Sequence, residues 1–371
     1  MGGIILGPTI FGMLAPNAYA WLFPNSSVIN SAREALITLG MLFFLFGAGL
    51  EVNLAQLSGR RWGIILTSIL GVLIPFGLGF GAVQIWPQLW GTQEHGLLLP
   101  VFIGTALSIS ALPVIARILM DIDLLNTQLG SFVITAAVID DLIGWSLFAA
   151  SISALTPGNS TKAPLSTFSL VIGCLILFWG VGHWLIRPFM HWLQHVVDWT
   201  GGFISVIAIW IMAAAALAEG IGVHPVFGAF QVGVVLGQGV DPKKNNPVYE
   251  IIQQFAVNFF APLYFVSIGL KANFFTNFDL KLVLVVIFIA SLGKILGAGF
   301  GAWLGGLSSR EALAVGCGLN ARGAMEIILA SVALEYQVID QRIFVALVMM
   351  ALVTSMLSGP LMQMLMRKSS A

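Results

Sequence analysis

The chain has 371 residues, of which 58% are hydrophobic and only 9% charged, and its 16 basic and 16 acidic side chains leave no net charge. A mean hydropathy of +0.97 excludes a soluble globular domain, which needs far more polar surface. The charge balance leaves no electrostatic footprint for nucleic acid, and Cys174 and Cys317 lie in apolar segments that say nothing of a redox compartment.

Hydrophobic segments recur near residues 2–16, 33–50, 62–86, 95–120, 126–154, 166–190, 202–219, 224–238, 250–269, 280–306, 310–335 and 341–366. The pattern predicts an all-α polytopic membrane protein of about twelve transmembrane helices, each full-length one able to cross a core of roughly 30 Å. The first segment, GGIILGPTIFGML, is short and has no charged flank, so the expected count becomes about thirteen if a helix precedes it. It carries no secretory n-region or cleavage site. Counted from the connection after segment two, alternate connections carry Arg60, Arg61, Arg117, Arg187, Lys243, Lys244, Arg310, Arg367 and Lys368 on one side. The other side has only Arg33, Lys162, Lys271, Lys281 and Arg342. The richer side is expected to be cytoplasmic.

Segment four contains GTALSISALPVIARIL, in which Thr105, Ser108 and Ser110 precede Pro113. The proline removes a backbone donor and crowds the preceding turn, so carbonyls there are freed and the helix is expected to break. Segment five contains AAVIDDLIGW, which sets Asp140 beside Asp141 deep in an apolar run. A charge at that depth costs roughly 2.5–3.5 kcal/mol on insertion scales. Two adjacent carboxylates also repel, so the pair requires a proton or a cationic partner. Such a pair marks an ion or proton path by default.

The connections on either side of segment seven offer less. Glu219 and His224 stand at a segment junction and read as interfacial, and His191 and His195, four residues apart in a connection, read as a solvated amphipathic face. Segment ten, SLGKILGAGFGAWLGG, carries Lys294 followed by Gly297, Gly301 and Gly305 at four-residue spacing, a flat face for close helix packing. Neighbouring residues on a helix point about 100° apart, so one aspartate can meet Lys294 while the other faces the break in segment four. Segment eleven, GCGLNARGAMEIILA, has glycines around Asn320 and Arg322 and is the second segment expected to break. Interrupted segments in corresponding positions point to a transporter binding site. These two are the middle members of segments three to five and ten to twelve, trios that start an odd number of segments apart and so read as an inverted repeat. Arg322 and Glu326 are one turn apart and either neutralise each other, stabilising crossed helix ends, or act on the ion.

Taken in order, TALSISALPVIARIL, TAAVIDDLIGW, Lys294 in SLGKILG, and NARGAMEIILA resemble the second cation:proton antiporter family over nearly the whole chain. The resemblance implies a homodimer in which two broken helices cross near the bilayer midplane. Residues 62–154 and 280–368 would form the two units of a core transport domain. Residues 1–61 would supply dimerisation helices, and 155–279 a linker with further dimerisation helices. An Asp-Asp pair with a lysine resembles the electrogenic Na+/H+ antiporters of that family. It implies that Asp141 binds the cation and carries the proton, and that Asp140 pairs with a proton-linked Lys294.

Hard, hydrated Na+ or Li+ gives up water only to oxygen ligands. The Asp140 and Asp141 carboxylates, the Thr105 and Ser108 hydroxyls and the freed carbonyls of segment four would supply them. Ser110, Pro113, Asn320, Arg322 and Glu326 would support the broken helices. The expected function is exchange of a monovalent cation for protons by alternating access, serving pH homeostasis, with no cofactor and no enzymatic step. The expected location is a bacterial inner membrane, or a thylakoid or other internal membrane. A K+/H+ exchanger of the same family is the close alternative. A passive cation channel is the alternative of another class, though no filter or charged ring is present. An intramembrane aspartyl protease needs aspartates on facing helices, and the lysine of Gly293-Lys294 is not followed by the Ser or Thr of a phosphate loop.

Overall fold

The computed structural model describes residues 2–50, 61–153, 200–237 and 273–367, apart from positions 25, 92–95, 126 and 222–224, together with scattered positions in 173–188 and 251–270. Most of segment six, and His191, His195 and His224, lie outside the described residues. In chain order the helices are α1 (Gly2–Leu6), α2 (Phe11–Leu14), α3 (Pro16–Leu22), α4 (Ser27–Leu50), α5 (Arg61–Ile85), α6 (Pro87–Trp90), α7 (Leu98–Ser108) and α8 (Leu112–Asp121). They continue with α9 (Gln128–Ser153), α10 (Thr200–Ile221), α11 (Pro225–Gly237), a π-helical turn at Ala256–Phe260, α12 (Leu280–Leu304), α13 (Ser309–Leu319), α14 (Ala324–Glu335) and α15 (Gln341–Arg367). Every regular element among the described residues is helical.

The first hydrophobic segment is not one rod but the short pieces α1 and α2. Pro8 follows Gly7 directly, and a residue before proline is pushed out of helical conformation. The other described segments keep their expected places. α5, α12 and Gln341–Met366 of α15 are, among the described residues, the helices long and apolar enough to cross a membrane.

Two compact units emerge, each from two stretches of chain: Met1–Asn53 with Thr156–Thr276, and Leu54–Leu155 with Asn277–Ala371. In the first, α4 and α11 touch through backbone, Gly49 lying against the Phe230 carbonyl and Gly233 against that of Phe46. Phe43 stacks on Phe260 at 5.0 Å between ring centres.

The second unit is built on the pair α5–α12. A methyl added at Gly301 would stand 2.6 Å from the Leu66 carbonyl oxygen, and one at Gly293 would stand 2.8 Å from the Pro75 Cα. The glycine face therefore starts one turn earlier than expected, at Gly293. On its far side α12 exposes Leu280, Leu284, Phe288, Leu296 and Phe300. Small residues inward and large ones outward is the arrangement of a helix in lipid.

Both expected breaks are present. α7 ends at Ser108 and Ile109 turns to extended backbone, and α8 begins at Leu112 with Pro113 in its first turn. There the missing N–H has no helical carbonyl to leave unpaired, so the proline starts the second half. The other break separates α13 from α14 at Asn320–Gly323. The two breaks meet: the Ala111 N–H donates to the Ala321 carbonyl at 3.0 Å. A Cβ at Gly323 would stand 2.9 Å from that of Ala111, so the crossing needs glycine there.

Candidate functional site

α9 delivers the two aspartates to this crossing. The Ser68 hydroxyl of α5 donates to the Ala136 carbonyl at 3.0 Å, one turn before Asp140. Gly144, one turn after the pair, lies against the Ile109 side chain at the first break. Asp140 is fully buried and Asp141 is 3% exposed. Lys294, also fully buried, donates to Asp140 Oδ2 at 2.6 Å and to the Ser108 carbonyl at 2.7 Å. The Ser110 hydroxyl lies 3.0 Å from the same Oδ2 and 2.8 Å from the Leu319 carbonyl. Asp140, Lys294 and both breaks thus form one connected cluster.

The hydroxyls expected to face a cation have spent their protons locally. Thr105 donates to the Val101 carbonyl at 2.8 Å, and Ser108 to the Thr105 carbonyl at 2.8 Å. Only their oxygen lone pairs remain for a ligand. The freed carbonyls are occupied as well. Arg322 donates through Nη1 to Ala106 at 3.0 Å and Ile109 at 3.1 Å, and through Nη2 to Leu107. With Lys294 on Ser108, the carbonyls of Ala106–Ile109 are all taken by the protein's own cations. The reason is the negative, donor-hungry C-terminal end of α7.

Glu326 serves the opposite pole. Its Oε2 accepts the Gly323 N–H at 2.7 Å in the first turn of α14, and its Oε1 stands 3.8 Å from Arg322 Nη1. Each of these two charges sits at the helix end of opposite sign. Asn320 donates from Nδ2 to the Ser291 hydroxyl at 3.2 Å, and Ser355 bonds both the N–H and the carbonyl of Arg322. Sequence reading missed Ser291, Ser355 and Ser68. Ser291 had a usable signal, since it stands one turn before Lys294 and so shares its face.

The whole chain now bears comparison with known proteins. Residues 1–368 match the family model described as "Sodium/hydrogen exchanger, transmembrane". The chain belongs to the sodium/hydrogen exchanger family.

Within this family it is 31% identical to Cation/H(+) antiporter 18 of Arabidopsis thaliana, over 97% of this chain and 44% of the relative. It is 31% identical to K(+)/H(+) antiporter 1 of Saccharomyces cerevisiae, over 98% of this chain and 42% of that one. It therefore spans less than half the length of these relatives. With Na(+)/H(+) antiporter NhaS4 of Synechocystis the identity is 30%, over 97% of this chain and 88% of the relative. The structure of the sodium proton antiporter MjNhaP1 from Methanocaldococcus jannaschii superposes with a TM-score of 0.71 at 16% identity, covering 98% of this chain and 89% of that one. That likeness fixes the fold. Family and apolar helices together make this exchanger-family chain an integral membrane protein.

A charge count then becomes informative. Among the described residues the buried acids are Asp140, Asp141 and Glu326, and the buried bases are Lys294 and Arg322. All five belong to the second unit. With every group ionised, these five described side chains sum to one negative charge.

Proposed function

We propose that the protein is a secondary transporter that exchanges a monovalent cation, Na+ or Li+, for protons at Asp141 with Asp140 beside it. The observation that carries this reading is the fully buried Asp140–Lys294 pair bonded to both helix breaks, with a second buried carboxylate, Asp141, next to it on α9. One cation or one proton is taken by Asp141, and the two cannot occupy the same carboxylate together. Competition for one site couples the two flows without any further device. Thr105 and Ser108 add hydroxyl oxygens, and Lys294 holds Asp140 by Oδ2, which leaves Oδ1 as a further ligand. Alternating access follows from rocking the second unit as the transport domain, with α5, α7/α8 and α9 forming one half of an inverted repeat and α12, α13/α14 and α15 the other. The first unit is the dimerisation domain of a homodimer, and the full complement is about twelve spans in a bacterial inner membrane.

The relatives include K(+)/H(+) as well as Na(+)/H(+) antiporters, so K+ is the second reading. Both are tested in sealed vesicles carrying an imposed pH gradient, with Na+, Li+ and K+ titrated in parallel. Na+ or Li+ dissipates the gradient on the first reading, and K+ alone on the second. Asp141→Asn abolishes cation-dependent proton movement. Exchange at the wild-type rate in that variant would refute the assignment, and cation flux without proton movement would make the protein a channel.

A further inference from the structure

Ser110 stands at a place where one proton has two claimants. Its hydroxyl lies 3.0 Å from Asp140 Oδ2 and 2.8 Å from the Leu319 carbonyl, on opposite sides of the crossing. A serine hydroxyl has a single proton to give, so it serves one acceptor at a time. Ser110 is fully buried.

The other end of the same carboxylate is different. Asp140 Oδ2 takes both nearby donors, Lys294 at 2.6 Å and Ser110. Among the described residues Oδ1 is buried with no hydrogen-bond partner. A buried carboxylate oxygen with nothing donating to it is costly. Two donors on Oδ2 fix the carboxylate plane, which a single lysine on a flexible stem does not.

We propose that Ser110 is the positioning residue of the cation site: it holds Asp140 with Oδ2 toward Lys294, which leaves Oδ1 for the cation. This rests on the exchange reading above. The carboxylate keeps the Ser110 proton in preference to the neutral Leu319 carbonyl, because a charge-assisted hydrogen bond is about twice as strong as a neutral one. Without that second donor the carboxylate turns on the single ammonium, and Oδ1 is no longer presented at one angle.

The test is cation-driven exchange in proteoliposomes with wild type, Ser110→Ala and Ser110→Thr, with Na+ and Li+ as the probes. Thermal unfolding in detergent is recorded with and without 100 mM-class cation, on the order needed to exceed a millimolar Kd. Wild-type activity establishes the parent reading separately; its absence sinks that reading before Ser110 is judged. Ser110→Ala is expected to raise the half-saturating Na+ concentration about tenfold, matching the loss of one hydrogen bond to a charged group. Its maximal rate stays within about threefold of wild type, and the cation-induced rise in unfolding temperature shrinks. Ser110→Thr keeps the hydroxyl and stays within about twofold of wild type in half-saturation. The proposal is overturned if Ser110→Ala keeps the wild-type half-saturation. It is equally overturned if both variants lose maximal rate alike with half-saturation unchanged, since that is a packing effect.

Discussion

At the scale of single residues, the Asp140–Lys294 pair sets the energetics of the interior. Both side chains are fully buried and 2.6 Å apart. Removing one partner of such a pair strands the other, at a cost of about 3–5 kcal/mol, whereas replacing both by apolar groups is often nearly neutral. Lys294→Met alone should therefore lower thermal stability in detergent far more than Lys294→Met combined with Asp140→Leu. Additive losses in the double variant would contradict the pairing. These residues were legible from sequence because a charge in an apolar run has no bland explanation. Ser291 and Ser355 were not, since serines in membrane helices usually bond their own backbone and carry no periodic signal. Backbone acceptors are less legible still. Nothing in the letters Ala-Leu-Ser-Ile says that Arg322 and Lys294 will occupy those four carbonyls.

At the scale of elements, the two breaks were readable because proline and glycine change backbone chemistry directly. The position of Pro113 was the refinement: it opens α8, and the turn itself falls on Ile109–Ala111. The first segment, already short by sequence, is divided at Gly7-Pro8 into α1 and α2. Glycines on helices also divide into two kinds that sequence does not distinguish. An added methyl at Gly301 meets the Leu66 carbonyl and the Thr67 Cα at 2.6 Å, while at Gly81 it meets nothing within 4 Å. Gly301→Ala should lower stability by about 1–3 kcal/mol through overpacking. Gly81→Ala should be neutral or stabilise by less than about 1 kcal/mol through helix propensity. Thermal unfolding of the two variants side by side checks this, and equal effects would deny the close α5–α12 seam.

At the scale of the whole molecule, composition alone decided the class, and the order of four motifs decided the family that the comparisons then showed. What sequence could not supply is association. A dimer is expected from the proposed role of the first unit, and light scattering of the detergent-solubilised protein should give twice the 39.7 kDa of the chain after subtraction of detergent. A monomeric mass would remove the dimerisation role from that unit.

The seam between α5 and α12 carries a mechanical corollary. Main chain rests on main chain along it, at Gly63 with Gly305, at Gly301 with Leu66 and at Gly293 with Pro75. Such a joint has no rotamers to flip, so it cannot loosen by degrees. The helix that bears Lys294 is in effect bolted to its neighbour, and any partner exchange by the ammonium must come from its own four-carbon arm swinging over a stationary mount.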